Sequence, residues 1–162
     1  CALPISSLDG RYDVVFTSEG VLGWLPDLDS WARGVRRLLA DGGFLYVFDS
    51  HPFYLAFDET KLGRGEYDLA YPYFGKEPDV DDCIGGYASE PKEGVEAYFW
   101  MHPVSDILNA LIGAGLRIDA FNEFPENFFD SGGLELSPEK GLYELPGNDD
   151  RFPMTFSLRA SA

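Results

Sequence analysis

Apolar positions along this chain fall into runs whose period changes from segment to segment. Tyr12-Asp13-Val14-Val15-Phe16-Thr17 and Phe44-Leu45-Tyr46-Val47-Phe48 are apolar almost without a break, which predicts two strands buried on both faces. Between them Leu28, Trp31, Val35, Leu38 and Leu39 recur at helical spacing, predicting a helix from about Leu28 to Ala40. Asp27, after Pro26, can cap its free N–H groups, and Asp41-Gly42-Gly43 ends it, with Gly42 suited to a left-handed C-cap. Strand, helix and strand in this order make a βαβ crossover in a parallel sheet. The first strand opens into Ser18 to Asp27 and the second into Asp49-Ser50-His51-Pro52-Phe53. Ligands of open α/β sheets bind beyond such strand ends.

From Phe53 to about Gly94 the regular period is lost, and aromatics alternate with Gly, Pro and acids, as in Tyr71-Pro72-Tyr73-Phe74-Gly75. Disordered segments are poor in aromatics, so this stretch reads as an ordered insertion folded across the end of the sheet. Val95 to Met101 then reads as a strand, and His102-Pro103 leads into a helix from about Val104 to Ala114 that buries Ile107, Leu108, Leu111 and Ile112. Leu116 to Phe121 is an alternating strand, followed by a long polar, glycine-containing connection and a closing strand from Met154 to Arg159. Two late strands joined without a helix should pair antiparallel.

Composition narrows the partners. A chain of 162 residues that is 45% hydrophobic fits one ordinary domain with its own core. A net charge of −16, with only 12 lysines and arginines, argues against nucleic acid, whose phosphates demand a basic patch, and against anionic membranes. No apolar run approaches the ~18 residues of a spanning helix, and the expectation is a soluble, cytoplasmic protein. Cys1 and Cys83 are too few and too far apart for a disulfide framework or a zinc cluster and read as free thiols.

The ordered set of words resembles the second half of the class I S-adenosylmethionine-dependent methyltransferases. Tyr12 to Leu22 with Trp24-Leu25-Pro26-Asp27 is similar to the fourth strand and following loop of the small-molecule members, and Leu38-Leu39-Ala40-Asp41-Gly42-Gly43-Phe44-Leu45 to the turn into their fifth strand. Trp100-Met101-His102-Pro103 and Ala114-Gly115-Leu116-Arg117-Ile118 resemble the last helix and sixth strand of a bacterial subgroup, and Phe156-Ser157-Leu158-Arg159-Ala160 its closing strand. The fold this implies is α/β, the C-terminal half of a Rossmann-like methyltransferase sheet, with parallel strands, a crossover helix, a final antiparallel hairpin and a substrate-lid insertion over residues 53–100. The family's first half, with its glycine-rich loop and the acidic residue that holds the ribose, has no counterpart here. Gly85-Gly86 and Gly132-Gly133 follow no buried strand at the start of a sheet. Residues 1–162 are therefore expected to be a partial domain, a fragment that is inactive in isolation.

The resemblance also implies S-adenosylmethionine as cofactor and a small molecule as methyl acceptor. Ala2 and Leu3 match the loop that meets adenine, and Ser18, Glu19, Gly20 and Val21 the loop beneath methionine and adenine. Glu19 is placed either to face a sulfonium or amine, or as a solvated loop carboxylate. His51, just past the second strand and next to Asp49, is the candidate base, because histidine titrates near neutral pH. Trp24, Trp100 and His102 are candidate substrate residues, with packing roles as the alternative. A metal held by Glu19, Asp49 and His51 is the weaker reading of the same strand ends.

No Gly-x-Ser-x-Gly elbow or phosphate loop supports another enzyme class. A nicotinamide dehydrogenase fragment would need its own glycine-rich turn. The remaining alternative is a non-catalytic methyltransferase-like module that binds a partner, or a second copy of itself, through an exposed sheet edge.

Overall fold

The computed structural model describes residues 8–86, 89–148 and 150–162. Its central sheet has four strands. β1 (Tyr12–Thr17) pairs parallel with β2 (Leu39–Ser50), which pairs antiparallel with the closing strand, β9 (Thr155–Ser161). On its other side β9 pairs antiparallel with β5 (Arg117–Phe124), so the order is β1-β2-β9-β5. Chain order would have placed β5 directly beside β2. The closing strand occupies that position instead and is buried along almost its whole length.

Two helices cover one face. α1 (Leu28–Leu38) starts where the Asp27 carboxylate accepts the Ser30 N–H at 2.9 Å, as its sequence position requires. α4 (Val104–Gly113) packs beside it. Trp31, Val35, Ile107 and Leu111 from the helices meet Leu45, Val47, Phe156 and Leu158 from the sheet in the main core. The opposite face departs from the expectation of strands buried on both sides. Val14, Phe16 and Tyr46 are exposed, and the stacked rings of Phe16 and Tyr46 lie 6.1 Å apart. The physical reason is position: β1 is the edge strand, and α1 and α4 both pack on the Leu45 and Val47 side.

The end of α1 also differs. The helix stops at Leu38, and β2 begins at once at Leu39. Gly42 does take a positive φ of 78°, but within β2, where the register jumps from Tyr12 opposite Leu39 to Val14 opposite Phe44. The glycine pair serves a bulge rather than a helix cap. A side chain on Gly43 would sit 2.8 Å from the Tyr12 carbonyl oxygen, which explains the second glycine.

The insertion contains regular structure that its irregular period conceals. Short helices α2 (Pro52–Leu55) and α3 (Glu59–Leu62) precede an antiparallel hairpin of β3 (Asp79–Gly86) and β4 (Ser89–Phe99). The late connection folds as well, into a small sheet of β6 (Glu126–Asn127), β7 (Glu135–Ser137) and β8 (Leu142–Glu144) in the order β6-β8-β7. The two segments share a second core, in which Tyr54, Phe57 and Leu62 meet Leu134, Leu145 and Met154. They approach backbone to backbone where Gly63 faces Gly132 and Gly133, and a Cβ on Gly63 would run into the Gly132 carbonyl oxygen.

Gly63→Ala should therefore destabilise the protein by about 1–3 kcal/mol in urea unfolding, the usual cost of overpacking. Gly113→Ala, at a helical position with open space, should be neutral or mildly stabilising. Equal effects of the two would contradict the close approach.

Candidate functional site

The two strand ends meet through one carboxylate. Asp49, at the end of β2 and 3% exposed, accepts the Gly20 N–H at 2.6 Å and the Ser50 N–H at 2.8 Å on Oδ1, and the Leu22 N–H at 3.2 Å on Oδ2. Gly20 reaches this position with a φ of 72°, which favours glycine. The chain after β1 then turns through a single 3-10 turn, Leu22–Trp24, with Leu22 buried in the main core. A buried carboxylate with three backbone donors is thus the clamp that holds the loop after β1 against the end of β2.

The insertion closes on the same loop. The Trp100 N–H donates to the Gly23 carbonyl at 2.8 Å, and Phe99 lies against Gly23 so closely that any Cβ there would run into its ring. Trp24 meets Phe99 edge to face at 5.8 Å, and Trp100 stacks on Tyr98 at 6.1 Å. His102 Nε2 donates to the Leu25 carbonyl at 2.8 Å, which fixes the proton on Nε2 and leaves Nδ1 as the acceptor. Between these elements lies a cavity of about 650 Å³. Glu19, Gly20, Asp49 and Ser50 line it from the strand ends, Trp24, Phe99, Trp100 and His102 from one side, and Phe128 and Phe129 from the late connection. This volume suits a small organic ligand.

Two acids set the electrostatics. Desolvation, followed by repulsion from Asp49, raises the Glu19 pKa to about 7. Burial also raises the Asp49 pKa, although its backbone donors oppose the shift. Glu19 is therefore a carboxyl group on the cavity wall whose pKa lies well above the ordinary carboxylate range.

The sequence candidates divide clearly. Glu19, Gly20, Trp24, Trp100 and His102 come together on one cavity. Ser18 and Val21 belong to the same loop without lining that cavity, and Ala2 and Leu3 lie outside the described residues. His51, the candidate base, does not line this cavity. It is buried, its Nδ1 accepts the Phe53 N–H at 3.0 Å, and its Nε2 donates to Glu123 at 2.9 Å. Both nitrogens are engaged, and the ring lines a different cavity. The same contacts keep Glu19, Asp49 and His51 from converging on a metal, since Asp49 turns to the loop amides and His51 to Glu123.

Phe128 and Phe129 were not singled out by sequence reasoning, because they sit in a stretch that reads as polar connection. Adjacent aromatics between Asn127 and Asp130 were the available signal. The clamp role of Asp49 was also missed, although a carboxylate at the end of a buried strand is a recognisable mark of a site.

No protein-family model matches the sequence, and no curated protein sequence does. Solved structures do match. An S-adenosylmethionine-dependent methyltransferase of Mesorhizobium loti is 19% identical, with a TM-score of 0.55 over 99% of this chain and 68% of its own. One of Clostridium acetobutylicum is 13% identical, with a TM-score of 0.54 over 99% of this chain and 63% of its own. One of Methanosarcina mazei is 16% identical, with a TM-score of 0.55 over 98% of this chain and 64% of its own. The chain thus spans roughly two thirds of the length of these proteins. With its strand order and antiparallel closing strand, it has the fold of a partial class I S-adenosylmethionine-dependent methyltransferase domain.

The Glu19 environment has a pH signature. A carboxyl whose pKa is raised on folding stabilises the fold fully below the unfolded value of 4.5, and that contribution is lost as pH rises through about 7. Glu19→Gln should accordingly be near neutral for stability at pH 5 and stabilising relative to wild type at pH 8, in paired thermal melts. A difference between the two proteins that is the same at both pH values would contradict the raised pKa.

Proposed function

We propose that this chain is the substrate-side part of an S-adenosylmethionine-dependent methyltransferase acting on a small molecule. The observation that carries this reading is the clamped loop at the ends of β1 and β2, opening onto an aromatic-walled cavity in a methyltransferase fold. The residues present fit one side of such a cofactor. Glu19 and Gly20 line the cavity, with open space above Gly20, and Ser18, Val21, Ala2 and Leu3 are assigned to the cofactor by resemblance. A preceding strand, glycine-rich turn and acidic residue, contributed by a further segment, would complete the site.

The bound cofactor supplies an electrophilic methyl group on a sulfonium. The residues of this chain exclude water and position the acceptor, the main sources of rate in a direct displacement. Trp24, Phe99, Trp100, Phe128 and Phe129 form apolar walls, and residues 53–100 act as the lid. Glu19, with its pKa about 7, takes the proton that an amine or hydroxyl acceptor loses on methylation. His102 offers Nδ1 to orient a donor on the same acceptor. His51, with Glu123, ties β2 to β5 and supports the site from behind.

One observation favours a second reading, a non-catalytic module that pairs through its sheet edge or self-associates. β1 is an edge strand, with Val14 and Phe16 exposed. Calorimetric titration with S-adenosylhomocysteine separates the two, using residues 1–162 and a form extended upstream by about 100 residues, one typical half-domain. The methyltransferase reading expects binding to the extended form alone and no turnover by residues 1–162. Binding to neither favours the module, and turnover by residues 1–162 alone would overturn the half-site.

A further inference from the structure

A second cavity, of about 840 Å³, shares no lining residue with the first. Four aromatic rings contribute to its wall: Phe53 from α2, then Tyr71, Tyr73 and Phe74 from the loop that follows α3. Phe53 and Tyr73 lie 6.4 Å apart between centroids, and Tyr73 and Phe74 meet edge to face at 4.9 Å. The loop is held at both ends of this aromatic run. The Tyr71 N–H donates to the Ala56 carbonyl at 3.1 Å, and the Tyr73 hydroxyl accepts the Val104 N–H at 3.2 Å. These bonds hold the backbone at Tyr71 and the ring of Tyr73, which lowers the ordering cost of meeting a ligand there.

One carboxylate lines the same cavity. Glu123 lines the cavity with its side chain 52% exposed, and the buried His51 holds it in place through Nε2. Burial lowers the His51 pKa, against the pull of Glu123. No lysine or arginine lines the cavity, and its remaining surface is alanine, leucine and proline.

We propose that this cavity binds a small organic cation with a quaternary or fully N-methylated ammonium head. Ring faces attract cations, and the attraction survives desolvation best for a head that holds water weakly. A primary ammonium would leave N–H donors facing apolar surface, at the cost of an unsatisfied polar group. Glu123 adds the complementary charge. This inference does not depend on the methyl-transfer reading, because it concerns a different cavity.

The test is an amide-resolved NMR titration of residues 1–162 with choline, alongside its uncharged isostere 3,3-dimethylbutan-1-ol. Saturable choline binding is expected, with shifts at Tyr71, Tyr73, Phe74 and Glu123, and with the isostere binding several-fold more weakly. Phe74→Ala and Glu123→Gln should each weaken choline by about threefold or more, as expected for exposed cation–π and charge contacts. Phe74 is 75% exposed and Glu123→Gln keeps the side-chain shape, so both variants should retain the dispersed spectrum of the fold. Equal affinity for the two probes, no saturation by choline, or undiminished choline binding in both variants would each overturn the proposal.

Discussion

The site depends on a single buried carboxylate. Asp49 satisfies the amides of Gly20, Leu22 and Ser50 at once, joining the loop after the edge strand to the strand beside it. An apolar residue there would leave three backbone N–H groups with lost partners, each a desolvation cost that folding cannot ignore. Because the loop is fixed, Gly23 can present its carbonyl to Trp100 and its bare Cα to Phe99. The returning strand of the insertion docks on that surface and brings Trp100 and His102 to the cavity. The raised pKa of Glu19 follows from the same arrangement, since Asp49 adds repulsion to desolvation.

A second constraint is that the cover of the site is built from two distant stretches. The 53–100 insertion and the 125–153 connection share one small core, with Tyr54 and Met154 almost fully buried in it. The connection delivers Phe128 and Phe129 to the cavity. The two segments are packed together through this core. Movement of one would have to carry the other or break the Gly63 to Gly132 contact.

The central elements were legible in the sequence because their residues obey one local rule each. Val14 to Thr17, Leu45 to Phe48 and the helical spacing of Leu28, Trp31 and Val35 need no distant information, and Asp27 caps the helix it was expected to cap. What escaped was non-local. Gly42 has the backbone conformation of a helix cap, but the pairing of Tyr12 with Leu39 makes it part of a bulge. The exposure of Val14 and Phe16 depends on which face the helices choose. The strands β6, β7 and β8 are two or three residues long, too short for any period to show. At the site, Glu19, Trp24, Trp100 and His102 line one cavity and His51 lines another, a division that nearness to Asp49 in sequence does not reveal. His51 lies past the end of β2 as the cap of α2, where its Nδ1 accepts the Phe53 N–H and its Nε2 turns to Glu123.

The most direct test of this account is amide hydrogen exchange in wild type and Asp49→Ala, which removes both acceptor oxygens. The account predicts that Gly20 and Leu22 are protected in wild type and lose protection in the variant, while Leu45 and Val47 in the sheet stay protected. Unchanged protection at Gly20 and Leu22 would show that the loop holds itself, and that Asp49 does not organise the site.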